Sequence, residues 1–277
     1  MIDLRNPKPL FEALCEIASA AGEAILGVYG REIAVSLKSD RSPLTEADQV
    51  SHRIIVDRVR ALDESVPLLS EESAPPEPET RRAWRRFWLV DPLDGTKEVL
   101  KRNGEFTVNI ALVDDRRAVL GVVLAPALGR LYYGALSAGA WRRDGTGVPK
   151  PIHVRSPAAE PVRVVGSRSH PSGELADYLA SLGPHEITPM GSSLKICLVA
   201  EGEADVYPRF GPTSEWDTAA AQAILESAGG RMMDLVGQPL RYNTRDDLLN
   251  PHFLAFGDTR RNWMAPIRKT RGPEDRY

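Results

Sequence analysis

The feature that most constrains this chain is the stretch Phe87-Trp88-Leu89-Val90-Asp91-Pro92-Leu93-Asp94-Gly95-Thr96. Four apolar residues read as a buried strand, and the run then breaks at a proline and a glycine. A strand ending in D-P-L-D-G-T brings two carboxylates and a hydroxyl into one tight turn. Two anions that close repel each other unless positive charge sits between them. A hard divalent cation such as Mg²⁺, which takes oxygen ligands, meets that need. The competing reading is a solvated Asp-Gly turn, so the remaining acids must decide.

Three other places put carboxylates at the ends of predicted elements. Thr45 or Asp48 is placed to cap a helix whose apolar positions are Val50, Ile54, Ile55, Val59 and Leu62. A short strand, Val66 to Leu69, ends on Ser70-Glu71-Glu72-Ser73. Asp217, in Thr213-Ser214-Glu215-Trp216-Asp217-Thr218, stands at the start of an alanine-rich helix, where an acid also complements the helix dipole. Phosphate chemistry at a metal cluster uses helix N-termini, because their free N–H groups hold phosphate oxygens. Gly95-Thr96 and Gly191-Ser192-Ser193-Leu194-Lys195 each precede a predicted helix. Lys195 and Arg209, in Tyr207-Pro208-Arg209-Phe210, supply positive charge.

The remaining pattern sets the fold class. Leu10, Leu14, Ile17, Ala21, Ile25 and Val28 recur at helical spacing up to Gly30, and Ile33, Val35 and Leu37 alternate as in a strand. Phe106–Val113, Ala118–Leu124, Leu131–Tyr133 and Ala140-Trp141 read as an antiparallel meander. Pro149 to Pro161 is polar and proline-rich, marking a boundary between an N-terminal α+β domain (1–150) and a C-terminal α/β domain (151–277). In the second half we expect strands at Val162–Val165, Ala204–Tyr207, Arg231–Leu235 and Phe253–Phe256. Helices are expected at Gly173–Leu182, Ser193–Glu201 and Trp216–Ala228. Ala74–Glu79 reads as an exposed, mobile loop, and the tail from Arg260 to Tyr277 as frayed.

A net charge of −3 argues against a nucleic-acid binder. Two cysteines in 277 residues, with no apolar leader and no run of ~20 apolar residues, point to a reducing cytoplasm and no transmembrane segment. Peripheral association with the inner membrane stays open, as does the choice between monomer and homodimer.

Leu69-Ser70-Glu71-Glu72, Asp91-Pro92-Leu93-Asp94-Gly95-Thr96 and Trp216-Asp217-Thr218-Ala219-Ala220 resemble the signature segments of the inositol monophosphatase superfamily. Lys101 to Leu112, Gly191 to Lys195, Leu198 to Gly202 and Tyr207 to Thr213 look like the bacterial 3′(2′),5′-bisphosphate nucleotidases of that superfamily. The resemblance implies a layered αβαβα sandwich and a lithium-sensitive, Mg²⁺-dependent phosphomonoesterase. Its substrate would be a small nucleotide bisphosphate, 3′-phosphoadenosine 5′-phosphate (PAP), cleaved to AMP and phosphate by a metal-activated water. By position, Glu71, Asp91 and the Leu93 carbonyl would hold one Mg²⁺, and Asp91, Asp94 and Asp217 a second. A third ion would use Glu71 through water. Asp48 and Thr96 would activate the attacking water. Gly95, Thr96, Ser192, Lys195, Arg209, Asp217 and His170 would contact the substrate. Alternatives are an inositol 1-phosphate or fructose 1,6-bisphosphate phosphatase, a non-catalytic nucleotide or metal sensor, and a structural module with its acids on separate surfaces.

Overall fold

The computed structural model describes residues 2–30, 35–37, 43–166 and 173–270. Its helices are α1 (Lys8–Tyr29), α2 (Glu46–Leu62), α3 (Pro78–Arg82), α4 (Thr96–Leu100), α5 (Gly173–Leu182), α6 (Leu194–Ala200), α7 (Ala219–Ser227) and α8 (Ala265–Thr270). The first strands, β1 (Val35–Leu37) and β2 (Pro43–Thr45), pair as a small antiparallel ribbon. A seven-stranded sheet follows in simple sequence order: β3 (Leu68–Ser70), β4 (Arg86–Asp94), β5 (Thr107–Asp114), β6 (Arg117–Ala125), β7 (Arg130–Ala135), β8 (Gly139–Asp144) and β9 (Lys150–Pro151). Only its β3–β4 pair is parallel. The second sheet contains β10 (Val162–Gly166), β11 (His185–Pro189), β12 (Val206–Arg209), β13 (Arg231–Asp234) and β14 (Phe253–Phe256), in the order β11-β10-β12-β14-β13.

The two-residue period of the strands sorts side chains between layers. In β4, Trp88 and Val90 face a core shared with α1 and α2, whereas Phe87 and Leu89 face one shared with α6 and α7. In β14, Phe253 and Ala255 face α6 and α7, whereas Leu254 and Phe256 face Tyr178 of α5 and Ile267 of α8. The layers therefore run α1/α2, first sheet, α6/α7, second sheet, α5/α8, which is the αβαβα sandwich. The middle cluster draws residues from both sides of residue 150.

Helix α7 lies unusually close to the first sheet. A Cβ built on Gly121 of β6 would stand 2.1 Å from the Ala220 carbonyl oxygen. Ala219, Ala220, Ala221 and Ala223 are all buried, so small side chains on both partners set this spacing.

Four expectations need correction. The segment after Ala74 is not loop throughout, because Pro78 starts α3 with its φ already set for a helix. Arg81 of that helix is buried. The tail is not frayed from Arg260, since Trp263 is buried, stacks near Phe256 and donates its indole N–H to the Asp258 carbonyl at 2.8 Å. Strand β11 was not expected, because it is an exposed edge whose alternation no core enforces. Trp216 and Asp217 belong to a 3₁₀ turn, Glu215–Asp217, ahead of α7.

Gly121→Ala tests the close approach. A methyl group there must displace helix backbone, so we expect a loss of about 1–3 kcal/mol or more, the usual range for an overpacked core. Urea unfolding would measure it, and a neutral result would show that α7 shifts freely.

Candidate active site

The site begins with a fault in the first sheet. Asp91 pairs with Asn109 and Asp94 with Thr107, so three steps along β4 match two along β5. Residues three apart on a regular strand face opposite sides; the extra residue brings Asp94 round to the side of Asp91. Pro92 sits in this bulge, where its missing N–H breaks no ladder bond. Its carbonyl accepts a 2.7 Å bond from Ser51 of α2. Gly95 then turns the chain with φ +98° and starts α4. A side chain there would be strained by that φ, although its Cβ would meet Glu105 and Phe106 only at ordinary contact distance.

Asp217 arrives from the other half of the chain on the turn ahead of α7. Carboxylate oxygens of Asp91, Asp94 and Asp217 all lie within 4.8 Å of one another. Glu71 follows β3 directly, and its carboxyl group lies against Asp91. The four acids therefore converge, which removes the reading as a structural module with dispersed acids.

A common device orients the carboxylates. Leu93 N–H donates to Asp91 Oδ1 at 3.0 Å, and Ser193 N–H to Asp94 Oδ2 at 2.6 Å. Ser214 N–H donates to Asp217 Oδ2 at 2.9 Å, and Thr45 N–H to Asp48 Oδ2 at 2.8 Å. In each case a main-chain donor fixes one oxygen. Asp48 shows that the capping and site readings are compatible. It completes a capping box with Thr45 at the start of α2, while its Oδ1 accepts a 3.1 Å bond from Thr96 Oγ1.

Burial pushes the Asp91 carboxyl well above the ordinary range, and the neighbouring Glu71, Asp94 and Asp217 push it further. Asp94 is raised by burial, against the pull of Lys195 and the Ser193 N–H. Asp217 is raised to about 8, by burial first and Asp94 next. An all-oxygen donor set whose members disfavour one another's charge fits a hard divalent cation.

Positive charge borders the acids. Lys195, 8% exposed, donates to the Ser192 carbonyl at 2.6 Å and lies over the Tyr207 ring. Burial lowers its pKa to about 8, while Asp94 acts in the opposite direction. Arg209 donates to the carbonyls of Gly211 and Pro212. A cavity of about 470 Å³ joins Glu71, Asp94, Gly95, Thr96, Ser192, Lys195, Arg209 and Asp217. Ser192 thus reaches the site, with φ +48°. Two amides of its turn, Gly191 and Ser193, serve the protein's own Glu105 and Asp94. His170 lies outside the described residues.

Motif reading gave Glu105, Thr107 and Asn109 no role, and it named Thr45 only as a cap and Ser193 only within an anion-binding turn. Ser193 Oγ bonds Asn109 Oδ1 and Thr107 Oγ1, each at 2.8 Å, beneath Asp94. Polar residues two apart in the apolar strand Thr107–Val113 were the available signal.

The sequence matches the inositol monophosphatase family over residues 6–264. The chain belongs to that family. It is 51% identical over 246 residues to the 3′(2′),5′-bisphosphate nucleotidase CysQ of Escherichia coli K12, covering 88% of this chain and 98% of that protein. CysQ of Haemophilus influenzae is 37% identical over 250 residues, 90% of this chain and 93% of its own length. Among solved structures, CysQ of Bacteroides thetaiotaomicron superposes with a TM-score of 0.80 at 41% identity, covering 94% of this chain and all of that one. A Thermotoga maritima IMPase, 24% identical with a TM-score of 0.73 over 92% of this chain and 94% of its own, shares the fold.

The mutual repulsion predicts that Asp91→Asn stabilises chelator-treated protein. An acid whose pKa is raised on folding opposes folding above its unfolded pKa, and the effect vanishes once both states are protonated. At pH 8 the variant should melt higher by roughly 2–4 °C, the shift that ~1 kcal/mol gives in a chain of this size. Below about pH 4 the difference should close. A lower midpoint at pH 8 would contradict the electrostatic account.

Proposed function

We propose that this chain is a Mg²⁺-dependent 3′(2′),5′-bisphosphate nucleotidase that hydrolyses PAP to AMP and phosphate. The observation that carries this reading is the pairing, within one cavity, of the acid cluster with Lys195 and Arg209. One end suits metal ions beside the scissile phosphate, and the other suits a second anionic group on the same ligand. The names of the CysQ relatives support the same substrate class.

In this reading Glu71, Asp91 and the Leu93 carbonyl would hold one ion and Asp91, Asp94 and Asp217 another, and Glu71 would serve a third. Mg²⁺ bound there would make a water acidic enough to attack and would neutralise charge on the leaving ester oxygen. Thr96 Oγ1 donates to Asp48 Oδ1, which leaves its lone pairs to accept a proton from the attacking water. Asp48 takes up the proton that Thr96 passes on without rotating, because Oδ2 is held by both the N–H and the hydroxyl of Thr45. The N-terminus of α4, with Gly95, faces the scissile phosphate. Lys195, Arg209 and Ser192 bind the 5′-phosphate and ribose. No phosphoenzyme is required: Cys15 and Cys197 are buried and burial raises both thiols. Two free buried cysteines also support a cytoplasmic setting.

A comparison of kcat/KM on PAP and inositol 1-phosphate in Mg²⁺ tests the substrate. Two charge-assisted hydrogen bonds to the second phosphate, ~1.5–3 kcal/mol each, imply a preference for PAP of at least about 100-fold. Preference for inositol 1-phosphate would reject the nucleotidase assignment.

Thr96→Val tests the proton relay. It keeps shape but removes the acceptor, so kcat should fall by about 10²–10⁴-fold with KM for PAP little changed. A loss confined to KM would make Thr96 a binding residue instead. Asp91→Asn should abolish turnover; a variant that still turned over would remove Asp91 from the metal site.

A further inference from the structure

The acid cluster is assembled from two independent supports, the β3–α3 connection that carries Glu71 and the 3₁₀ turn that carries Asp217. Outside the cavity, a buried polar group joins them. Arg81 of α3, Asn243 and Glu215 are 1%, 0% and 2% exposed. Arg81 Nη1 donates to Asn243 Oδ1 at 2.6 Å, and the Asn243 side-chain amide donates back to the Arg81 carbonyl. The Asn243 N–H is held by both oxygens of Glu215, at 2.9 and 2.8 Å. Asn243 takes φ +56°, which asparagine tolerates better than most residues. Arg116, in the β5–β6 turn, donates to the carbonyls of Asn243 (2.6 Å) and Arg82 (2.5 Å), which fastens both segments to the first sheet.

Burying a guanidinium and a carboxylate is costly even when both are bonded. Here the two charges meet through an asparagine, and an apolar contact would serve plain stability as well. What the arrangement fixes is distance. Glu215 stands two residues before Asp217, and its own N–H is held by the Leu248 carbonyl at 2.8 Å. Arg81 terminates the segment that begins at Glu71. We propose that Arg81, Asn243 and Glu215 form a positioning clamp that sets the separation of the Glu71 and Asp217 carboxylates and so tunes divalent-ion affinity. None of the three needs to touch an ion or the substrate. The inference rests on the metal-dependent reading above and extends it to residues outside the cavity.

The test uses Mn²⁺ as the probe, counted by electron paramagnetic resonance on the full chain, together with the Mg²⁺ concentration giving half-maximal PAP hydrolysis. Two variants are compared. Arg81→Met removes the cation together with its bonds to Asn243 and to the Asp246 carbonyl, and Asn243→Gly keeps the left-handed backbone and the N–H to Glu215 while deleting the two side-chain bonds between Asn243 and Arg81. The clamp predicts Mn²⁺ affinity weakened by about tenfold or more, the usual effect of disturbing groups that orient metal ligands. The half-saturating Mg²⁺ should rise in parallel, while kcat at saturating Mg²⁺ stays within about threefold of wild type. Arg81→Lys should recover part of the affinity. Folded Asn243→Gly protein with wild-type Mn²⁺ affinity overturns the clamp, whatever its melting temperature, even if Arg81→Met fails to fold. Wild-type protein that bound no Mn²⁺ would overturn the metal-dependent reading and the clamp with it.

Discussion

Repulsion among carboxylates brought together out of water is the constraint to which the rest of this structure answers. Asp91, Asp94 and Asp217 crowd within 4.8 Å, and Glu71 adds a fourth acid beside Asp91. Left flexible, such side chains would rotate apart into solvent. Four acids at the site instead have one oxygen pinned by a main-chain N–H, from Leu93, Ser193, Ser214 and Thr45. Charge-assisted bonds of this kind are short and directional. They fix the plane of each carboxylate, so orientation is supplied by the backbone.

Those pins can work only if the backbone that carries them is rigid. The bulge at Pro92 lies between two layers of core, with Trp88 and Val90 packed toward α1 and α2 and Phe87 and Leu89 toward α6 and α7. Gly121 lets α7 settle against β6, which brings the turn bearing Asp217 up to the strand bearing Asp91. The stability that offsets the site's repulsion is therefore hydrophobic and lies around the site. This is the usual relation between a strained site and its scaffold.

Much of this was legible in the residues, for identifiable reasons. Period-two and period-3.6 patterns locate elements packed between layers, and they placed α1, β5, β6 and β14 well. The D-P-L-D-G-T stretch revealed its acids because proline and glycine punctuate a strand audibly. What stayed hidden depends on tertiary context. The edge strand His185–Pro189 has no core face to write an alternation, and Pro78–Arg82 is a single turn of helix inside a polar run. Trp263 lay in a charged tail whose large apolar residues, with Met264 and Ile267, were too few to establish a period. Thr107, Asn109 and Ser193 support Asp94 by contacts that span 84 to 99 positions of sequence, beyond any local pattern.

In the proposed nucleotidase reading, the division of charge across the cavity is what would let one site serve two phosphates. Lys195 and Arg209 have no carboxylate directly hydrogen-bonded to them among the described residues; they bond main-chain carbonyls, and Arg209 also bonds the neutral Tyr207 hydroxyl. A carbonyl orients a cation without neutralising it. Both therefore keep charge available to an anion, while their field moderates Asp94 from the side. Were either cation locked in a salt bridge with the acid cluster, the acids would lose their need for metal and the cavity its second anion site. Keeping the two charges apart, each oriented by neutral backbone groups, is what would let a single pocket carry both proposed functions.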